Sequence, residues 1–272
     1  MVDVGAAETK LKDIAVGVAA DAADLVRRSR DAMVAGQAVR VETKSTDTDV
    51  VTAVDRAAEQ LVRDRLAELR PGDHVLGEEA GGSAGDGVTW VVDPIDGTVN
   101  FLYGAPLFAV SVAAQVEGVS VAGAVVEPVS GRHWTAVRGG GAWLDGRRLA
   151  VSEPSRLELS LVGTGFAYQA QRRARQARFV SGLLTRVRDV RRAGVASLDL
   201  CAVAAGWLDG YVEHGLHRWD WAAGALIAEE AGAVVHLPGE DAALGADATF
   251  AAAPSIAGAL YDAAVECGVK EV

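Results

Sequence analysis

The spacing of apolar residues changes twice along this chain, and these changes constrain its fold more than any other feature. Apolar residues recur at helical intervals over residues 8–34 and again from Thr52 to Leu69, which predicts two amphipathic helices. Short β-like runs separated by Gly or Asp turns follow from His74 to Leu144 and predict an antiparallel meander. From Leu159 onward strands and helices alternate, as in an α/β layer. The pattern therefore predicts an α/β protein with an α+β first half.

We expect the two halves to form one domain over residues 1–272, with residues 1–153 and 154–272 meeting at a seam near Glu153-Pro154. Half of the residues are apolar, which is enough to bury a sizeable core. Neither a signal peptide nor a run of about 18 uncharged apolar residues is recognisable, so no membrane segment is predicted. Two cysteines are too few for a disulfide framework, and a cytoplasmic location is expected.

The charge balance limits the partners of the chain. Its 26 basic and 37 acidic residues give a net charge of −11. Nucleic acid and anionic membrane surfaces repel such a chain, so neither is expected as its main partner. Eight arginines nevertheless lie between Arg172 and Arg192. Because only one aromatic residue, Phe179, is interleaved with them, a solvated helix face is favoured over a nucleic-acid patch.

The segment Asp-Pro-Ile-Asp-Gly-Thr comes directly after a buried-looking strand. Asp93 and Asp96 can face one point at the strand end, with the carbonyl group of Ile95 between them. Hard oxygen donors of this kind suit Mg²⁺. Gly97 and Thr98 then open a short helix, where backbone N–H groups can bind an anion such as phosphate. An ordinary Asp-Gly turn with a capping threonine is the alternative interpretation.

Three further polar segments accompany this one. The adjacent carboxylates Glu78 and Glu79 end another strand-like run and repel each other unless solvent or a cation neutralises them. Asp220 opens an apolar helix, where a lone aspartate is usually an N-cap. A polar stretch from Lys44 to Asp55 precedes the second helix and fits a solvated loop equally well. Each segment alone has a simple structural explanation, so only their combination carries a function.

In order and combination these segments resemble the inositol monophosphatase family, a group of lithium-sensitive, Mg²⁺-dependent phosphomonoesterases. The resemblance covers nearly the whole chain and runs through Lys44-Ser45, Gly77-Glu78-Glu79, Asp93–Phe101, Gly194–Asp199 and Glu213–Gly224. It implies a layered αβαβα sandwich, with which the predicted order of elements agrees. Val195 departs from the family, which commonly has a small hydroxylated residue there, so one polar contact to the substrate is lost.

The resemblance implies two or three Mg²⁺ ions per site. The implied ligands of the first ion are Glu78, Asp93 and the carbonyl oxygen of Ile95. Those of the second are Asp93, Asp96 and Asp220, so Asp93 bridges the pair. A third, weaker ion is implied near Glu78.

The resemblance also assigns roles in catalysis and substrate binding. Thr98 and Glu78 orient the attacking water, and Asp55 is the hydrogen-bond partner of Thr98. The implied substrate-binding residues are Lys44 near the phosphate, Gly97 and Thr98 through their N–H groups, and Asp96, Ala196, Glu213 and Asp220 around the leaving alcohol.

The implied reaction is hydrolysis of inositol 1-phosphate to inositol and phosphate by a metal-activated water, with no covalent intermediate. Relatives of the fold hydrolyse histidinol phosphate, fructose 1,6-bisphosphate or nucleotide 3′-phosphates, and these substrates remain alternatives. A regulatory role in contact with nucleic acid or a transcription complex is a third hypothesis. Glu213 and Val99-Asn100-Phe101 favour inositol phosphates. Family members are usually homodimers inhibited by lithium, and we expect both properties here.

Overall fold

The structure is a computed structural model that describes residues 4–37, 41–43 and 50–272. Within these residues the helices are α1 Val4–Val34, α2 Ala53–Leu69, α3 Thr98–Leu102, α4 Ala170–Leu183, α5 Ala196–Ala204, α6 Arg218–Glu230 and α7 Pro254–Glu266. The strands are β1 Val41–Thr43, β2 Val50–Thr52, β3 His74–Gly77, β4 Val88–Asp96, β5 Ala109–Val116, β6 Val119–Val126, β7 His133–Val137, β8 Gly141–Leu144, β9 Arg147–Arg148, β10 Leu161–Thr164, β11 Asp189–Arg191, β12 Gly210–His214, β13 Val234–His236 and β14 Ala248–Ala252.

The first half of the chain forms a seven-stranded sheet in the order β3-β4-β5-β6-β7-β8-β9. The predicted meander is confirmed from β4 to β9, where every neighbouring pair is antiparallel, whereas β3 pairs with β4 in parallel. One face of this sheet packs against α1 and α2, through residues such as Val18, Val62 and Trp90. The other face packs against α5 and α6, through residues such as Cys201 and Leu226.

The contact between this sheet and α6 depends on small side chains. Gly123 lies on β6, where an added Cβ atom would approach the Cα atom of Ala223 to 3.1 Å. Ala222 and Ala223 are both buried at this contact. Helix α6 therefore lies close to the sheet, which brings the residues at its N-terminus near the end of β4.

The second half of the chain forms a five-stranded sheet in the order β11-β10-β12-β14-β13. Strand β10 pairs in parallel with β11 and β12, whereas β14 is antiparallel to both β12 and β13, so the sheet is mixed. Its outer face packs against α4 and α7, with Phe179 and Leu260 in the core. Its inner face packs against α5 and α6, through Leu200, Tyr211 and Ala225. The layers therefore follow the predicted αβαβα order.

The predicted boundaries differ from the observed ones at the first helix and at several short elements. The first helix begins at Val4 rather than at residue 8, and two 3₁₀ turns, Leu157–Leu159 and Val269–Glu271, were not predicted. The pair β1–β2 was also not predicted, because three-residue strands are too short to show an alternating pattern. Both cysteines are free thiols, as expected from their number.

Candidate active site

A cavity of about 600 Å³ opens where the end of β4 meets the central helices and β12. Its lining contains most of the side chains predicted from the sequence, namely Glu78, Asp93, Ile95, Asp96, Gly97, Thr98, Ala196, Glu213 and Asp220. Lys44 lies outside the described residues. Asp55 contacts the site through Thr98. Residues that are up to 142 positions apart in the sequence, Glu78 and Asp220, thus share one cavity.

A β-bulge at the end of β4 sets the direction of the two aspartates. Asp93 pairs with Ser111 and Asp96 with Ala109, so three steps along β4 match two steps along β5. In a regular strand, side chains three residues apart point to opposite faces, and one inserted residue corrects this. The packing shows the result, because Ile95 joins the core beneath α1 and α2 while both aspartates face the cavity.

Asp93, Asp96 and Asp220 form a compact carboxylate cluster. Each offers one oxygen, and these oxygens lie within 4.8 Å of one another. Asp220 reaches the cluster from the first turn of α6, where its side chain also accepts a hydrogen bond of 2.6 Å from the backbone N–H of His217. Three hard oxygen donors at this spacing match the ligand preference of Mg²⁺. The residues present therefore fit the cation that the sequence implies.

The pKa values of these carboxyls reflect first their burial and then their mutual repulsion. Burial raises the pKa of Asp93 well above its ordinary value, and the charges of Glu78, Asp96 and Asp220 raise it further. Burial followed by the charges of Asp96 and Glu78 raises the pKa of Asp220 in the same way. Burial raises the pKa of Asp96 to about 6, although hydrogen bonds from Ser197 oppose the shift. A bound cation would favour the ionised forms of all of them.

Asp55 joins the start of α2 to the site. Its Oδ2 atom accepts hydrogen bonds from the backbone N–H of Thr52, at 2.9 Å, and from the Thr52 hydroxyl, at 2.5 Å. Thr52 caps α2 in return, which completes a capping box. The other oxygen, Oδ1, lies 3.0 Å from the Thr98 hydroxyl, which is also 3.0 Å from the carbonyl oxygen of Ile95. The predicted pairing of Asp55 with Thr98 is therefore present.

Two residues that the sequence did not indicate hold site carboxylates in place. Ser197, on the first turn of α5, donates from its backbone N–H and its hydroxyl to Oδ2 of Asp96, at 2.7 and 2.6 Å. Tyr211 donates its hydroxyl to Oε2 of Glu213 at 2.5 Å. Neither residue has a sequence signal of its own, because a serine on a helix and a tyrosine on a strand are ordinary. Their partners could be found only from the fold.

Glu213 lies on β12 and lines the same cavity. Burial raises its pKa to about 7, while the hydrogen bond from Tyr211 and the charge of Arg192 lower it. Burial also raises the pKa of the Tyr211 phenol well above its ordinary value, so the hydroxyl keeps its proton and donates it. Among the described residues, no ion pair joins Glu213 to Arg218.

The chain matches a known protein family over almost its whole length. The model of the inositol monophosphatase family matches residues 7–268 of the chain. An inositol-1-monophosphatase from Mycobacterium leprae is 54% identical over 271 residues, which cover 93% of each chain.

The chain belongs to the inositol monophosphatase family.

Two other relatives extend this assignment to the inositol monophosphatase family. The solved structure of Mycobacterium tuberculosis SuhB superposes with a TM-score of 0.81 at 44% identity and covers 96% of this chain and 97% of its own. A protein from Pseudomonas aeruginosa named Nus factor SuhB is 42% identical over 230 residues, which cover 82% of this chain and 83% of its own. The layered fold is therefore that of inositol monophosphatases.

The arginine-rich segment of this inositol monophosphatase family member is largely engaged in local contacts. Arg172 forms an ion pair of 2.6 Å with Asp247, and Arg186 pairs with Glu266. Arg191 pairs with Asp189 at 2.5 Å. Three of the eight arginines are thus paired with carboxylates. No helix in the described part of the chain combines the length and apolar character of a membrane span.

Proposed function

We propose that the chain is a Mg²⁺-dependent phosphatase that hydrolyses inositol 1-phosphate to inositol and phosphate. The observation that carries the proposal is the carboxylate cluster of Asp93, Asp96 and Asp220, which faces the same cavity as Glu213. A cation-binding side for the phosphate and a hydrogen-bonding side for the alcohol thus lie across one cavity. The relative from Mycobacterium leprae that bears the name inositol-1-monophosphatase supports the same substrate.

The proposed cofactor is Mg²⁺, with two or three ions per site. Glu78, Asp93 and the carbonyl oxygen of Ile95 would hold one ion, and Asp93, Asp96 and Asp220 a second. When bound, Mg²⁺ lowers the pKa of a water molecule and neutralises charge on the phosphate and on the leaving oxygen. The carboxylates alone would repel a phosphate dianion, so the acidic cavity accepts its substrate together with the cations.

The side chains of the protein supply orientation rather than a nucleophile. We assign Thr98 and Glu78 to the attacking water, with Asp55 holding the Thr98 hydroxyl from Oδ1. The Thr98 hydroxyl has one hydrogen to donate. It donates a hydrogen bond either to Asp55 or to the carbonyl oxygen of Ile95, each 3.0 Å away. The hydroxyl oxygen can then accept a hydrogen bond from the attacking water. Gly97 and Lys44 belong to the proposed phosphate contacts.

The leaving alcohol would be held beside the carboxylate cluster in the same cavity. Ala196, Asp96, Glu213 and Asp220 are the proposed contacts, and Glu213 distinguishes among substrates. Its carboxylate accepts hydrogen bonds from neighbouring ring hydroxyls, and Tyr211 fixes its orientation through Oε2. Because this arrangement suits a polyol, inositol 1-phosphate is favoured over histidinol phosphate, fructose 1,6-bisphosphate and nucleotide 3′-phosphates.

Glu213→Ala is expected to reduce kcat/KM on inositol 1-phosphate by about 5- to 150-fold, because ring hydroxyls left unpaired on burial cost about 1–3 kcal/mol each. Glycerol 2-phosphate, whose alcohol has fewer hydroxyls, should be affected less. Parallel measurement of kcat/KM on both esters checks this, with Tyr211→Phe as a milder variant that removes only the 2.5 Å hydrogen bond to Glu213. Equal losses on the two esters would show that Glu213 does not select the alcohol.

Phosphate release from a panel of esters tests the proposed function directly. The panel contains inositol 1-phosphate, histidinol phosphate, fructose 1,6-bisphosphate and a nucleotide 3′-phosphate, each with Mg²⁺, with EDTA, and with Mg²⁺ plus Li⁺. We expect the largest kcat/KM on inositol 1-phosphate, no turnover in EDTA, and inhibition by Li⁺. A larger kcat/KM on another ester would reassign the substrate, and turnover in EDTA would contradict the role of the cations.

We also propose that the chain is a single-domain, cytoplasmic homodimer. Support for a single domain comes from the central helices, because α5 and α6 pack against both sheets and so belong to two cores at once. Such sharing predicts one cooperative unfolding transition by calorimetry. Light scattering at micromolar concentration measures the oligomeric state, and a monomeric mass would contradict the dimer.

A regulatory role in transcription is the second candidate function. It is favoured by one observation, the 42% identity to a Pseudomonas aeruginosa protein named Nus factor SuhB. The arginines of the 172–192 segment would be the natural contact for nucleic acid, yet Arg172, Arg186 and Arg191 are paired with carboxylates. An electrophoretic mobility shift assay with RNA at physiological salt tests this role. Its outcome does not depend on the carboxylate cluster.

A further inference from the structure

The turn that carries Glu78 rests on a buried carboxylate from another element. Glu59 lies on α2 with only 1% of its surface exposed. Its Oε2 atom accepts a hydrogen bond of 2.7 Å from the backbone N–H of Glu79, and Oε1 accepts one of 3.0 Å from Ala80. Arg63, one helical turn further on, donates from Nε to Oε1 at 2.8 Å and neutralises the charge. Glu59 is therefore fully engaged with the turn directly after Glu78.

The turn is also fixed on its other side. The backbone N–H of Glu78 donates to the carbonyl oxygen of Val92 on β4 at 3.2 Å, one residue before Asp93. The N–H of Gly77 donates to Gly81 at 2.9 Å. A second nitrogen of Arg63 donates to the same Gly81 carbonyl at 2.5 Å. The backbone on both sides of Glu78 is thus held at defined points.

Gly77 shows how closely Glu59 approaches this backbone. A Cβ atom at Gly77 would lie 2.4 Å from the carboxyl carbon of Glu59, so a side chain there would displace the carboxylate. The absence of a side chain at Gly77 therefore makes space for the Glu59 carboxylate. The backbone of Gly77 does not adopt the left-handed conformation that favours glycine. Glu59 itself is absent from the cavity lining formed by the described residues.

We propose that Glu59, supported by Arg63, is a positioning residue that sets the direction of the Glu78 carboxylate toward the cations. The inference rests on the proposed function, since it takes Glu78 to be a ligand. A carboxylate is required because each of its oxygens accepts an N–H group. An amide at this position would turn an N–H donor toward another donor and leave one of them unsatisfied.

The test compares Glu59→Gln with Glu68→Gln in the full-length protein. Glu68 lies on the same helix and also pairs with one arginine, Arg65 at 3.0 Å, but it is exposed and does not contact the turn. Titration with Mn²⁺, followed by electron paramagnetic resonance of the free ion, measures cation affinity without turnover. We expect Glu59→Gln to weaken Mn²⁺ binding about 10- to 100-fold, as loss of a residue that orients a ligand does. Glu68→Gln should bind Mn²⁺ as the wild type does.

Activity gives a second readout that a general loss of structure would not produce. The Mg²⁺ concentration for half-maximal turnover should rise in Glu59→Gln by the same factor, with kcat at saturating Mg²⁺ largely retained. Should Glu59→Gln fail to fold, Arg63→Met keeps the carboxylate but removes its counter-charge and the contact to Gly81, and we expect a smaller loss of Mn²⁺ affinity. Wild-type Mn²⁺ affinity in whichever of these variants folds would overturn the inference. A wild-type protein that binds no Mn²⁺ would instead overturn the proposed function.

Discussion

Asp93→Asn is expected to abolish phosphatase activity, because Asp93 is the carboxylate proposed to serve both ions. Charge stabilisation worth several kcal/mol is lost when the two ions are no longer bridged. Since each 1.36 kcal/mol corresponds to a factor of ten, kcat/KM should fall at least about 10³-fold. Steady-state phosphate release at saturating Mg²⁺ measures the loss, with Asp24→Asn on the exposed face of α1 as the matched substitution that should leave activity unchanged.

The same variant should become more stable in the absence of metal. Asp93 is buried among like charges, and its raised pKa means that the ionised form is disfavoured in the folded protein. Asparagine removes this repulsion, while its side-chain oxygen can still accept the N–H of Ile95, which lies 3.0 Å from Oδ1 of Asp93. In EDTA the melting temperature should therefore rise, by about 2–4 °C for each kcal/mol relieved. Added Mg²⁺ should stabilise the wild type far more than the variant.

Three results would contradict the bridging role. Near-wild-type turnover of Asp93→Asn at saturating Mg²⁺ would show that one carboxylate charge at this position is dispensable. Equal stabilisation of wild type and variant by Mg²⁺ would show that the cations bind elsewhere. A variant that is inactive and also unfolded in EDTA would indicate a structural role for Asp93 instead.

Thr98→Ala is expected to lower kcat by about 10²–10⁴-fold, the usual contribution of a group that assists proton transfer. KM for the phosphate ester should change little, because the hydroxyl is assigned to the attacking water rather than to the substrate. The hydroxyl is held 3.0 Å from Asp55, so its orientation is defined before substrate arrives. Full kinetic curves at saturating Mg²⁺ separate the two parameters.

Thr98→Ser provides the matched control for this prediction. Serine keeps the hydroxyl and loses only a methyl group at a buried position. Its kcat should therefore stay within about one order of magnitude of the wild type, well above that of Thr98→Ala. If the alanine variant raises KM and leaves kcat unchanged, Thr98 contacts the phosphate instead. If serine is as impaired as alanine, the hydroxyl has no role in the reaction.

The local chemistry of the site was predictable from the sequence because it lies in short segments. Asp93, Asp96 and Thr98 lie within six residues at the end of one strand, and their grouping needs no knowledge of the fold. The layered architecture was implied by the resemblance to the inositol monophosphatase family and agreed with the predicted order of helices and strands, and the structural neighbours confirm it. Long elements were predicted well because a 17-residue helix such as α2 repeats its apolar spacing several times.

The supporting contacts were not predictable, since each joins segments that are far apart in the sequence. Ser197 holds Asp96 across 101 residues, and Glu59 binds the N–H of Glu79 across 20. Neither a serine at a helix start nor a glutamate on an amphipathic helix differs locally from its exposed counterparts. Only the burial that the tertiary structure imposes makes them distinctive.

The bulge in β4 makes the number of residues between Asp93 and Asp96 as important as their identity. Deleting one residue from this interval would preserve every acidic residue and their order along the chain. If the strand then regained regular pairing with β5, the aspartates would be two positions apart instead of three, and the bulge that now sets their direction would be lost. A shortened relative with all its acidic residues intact can therefore have an altered cavity, and alignments of such sequences should weigh gaps in this segment as heavily as substitutions.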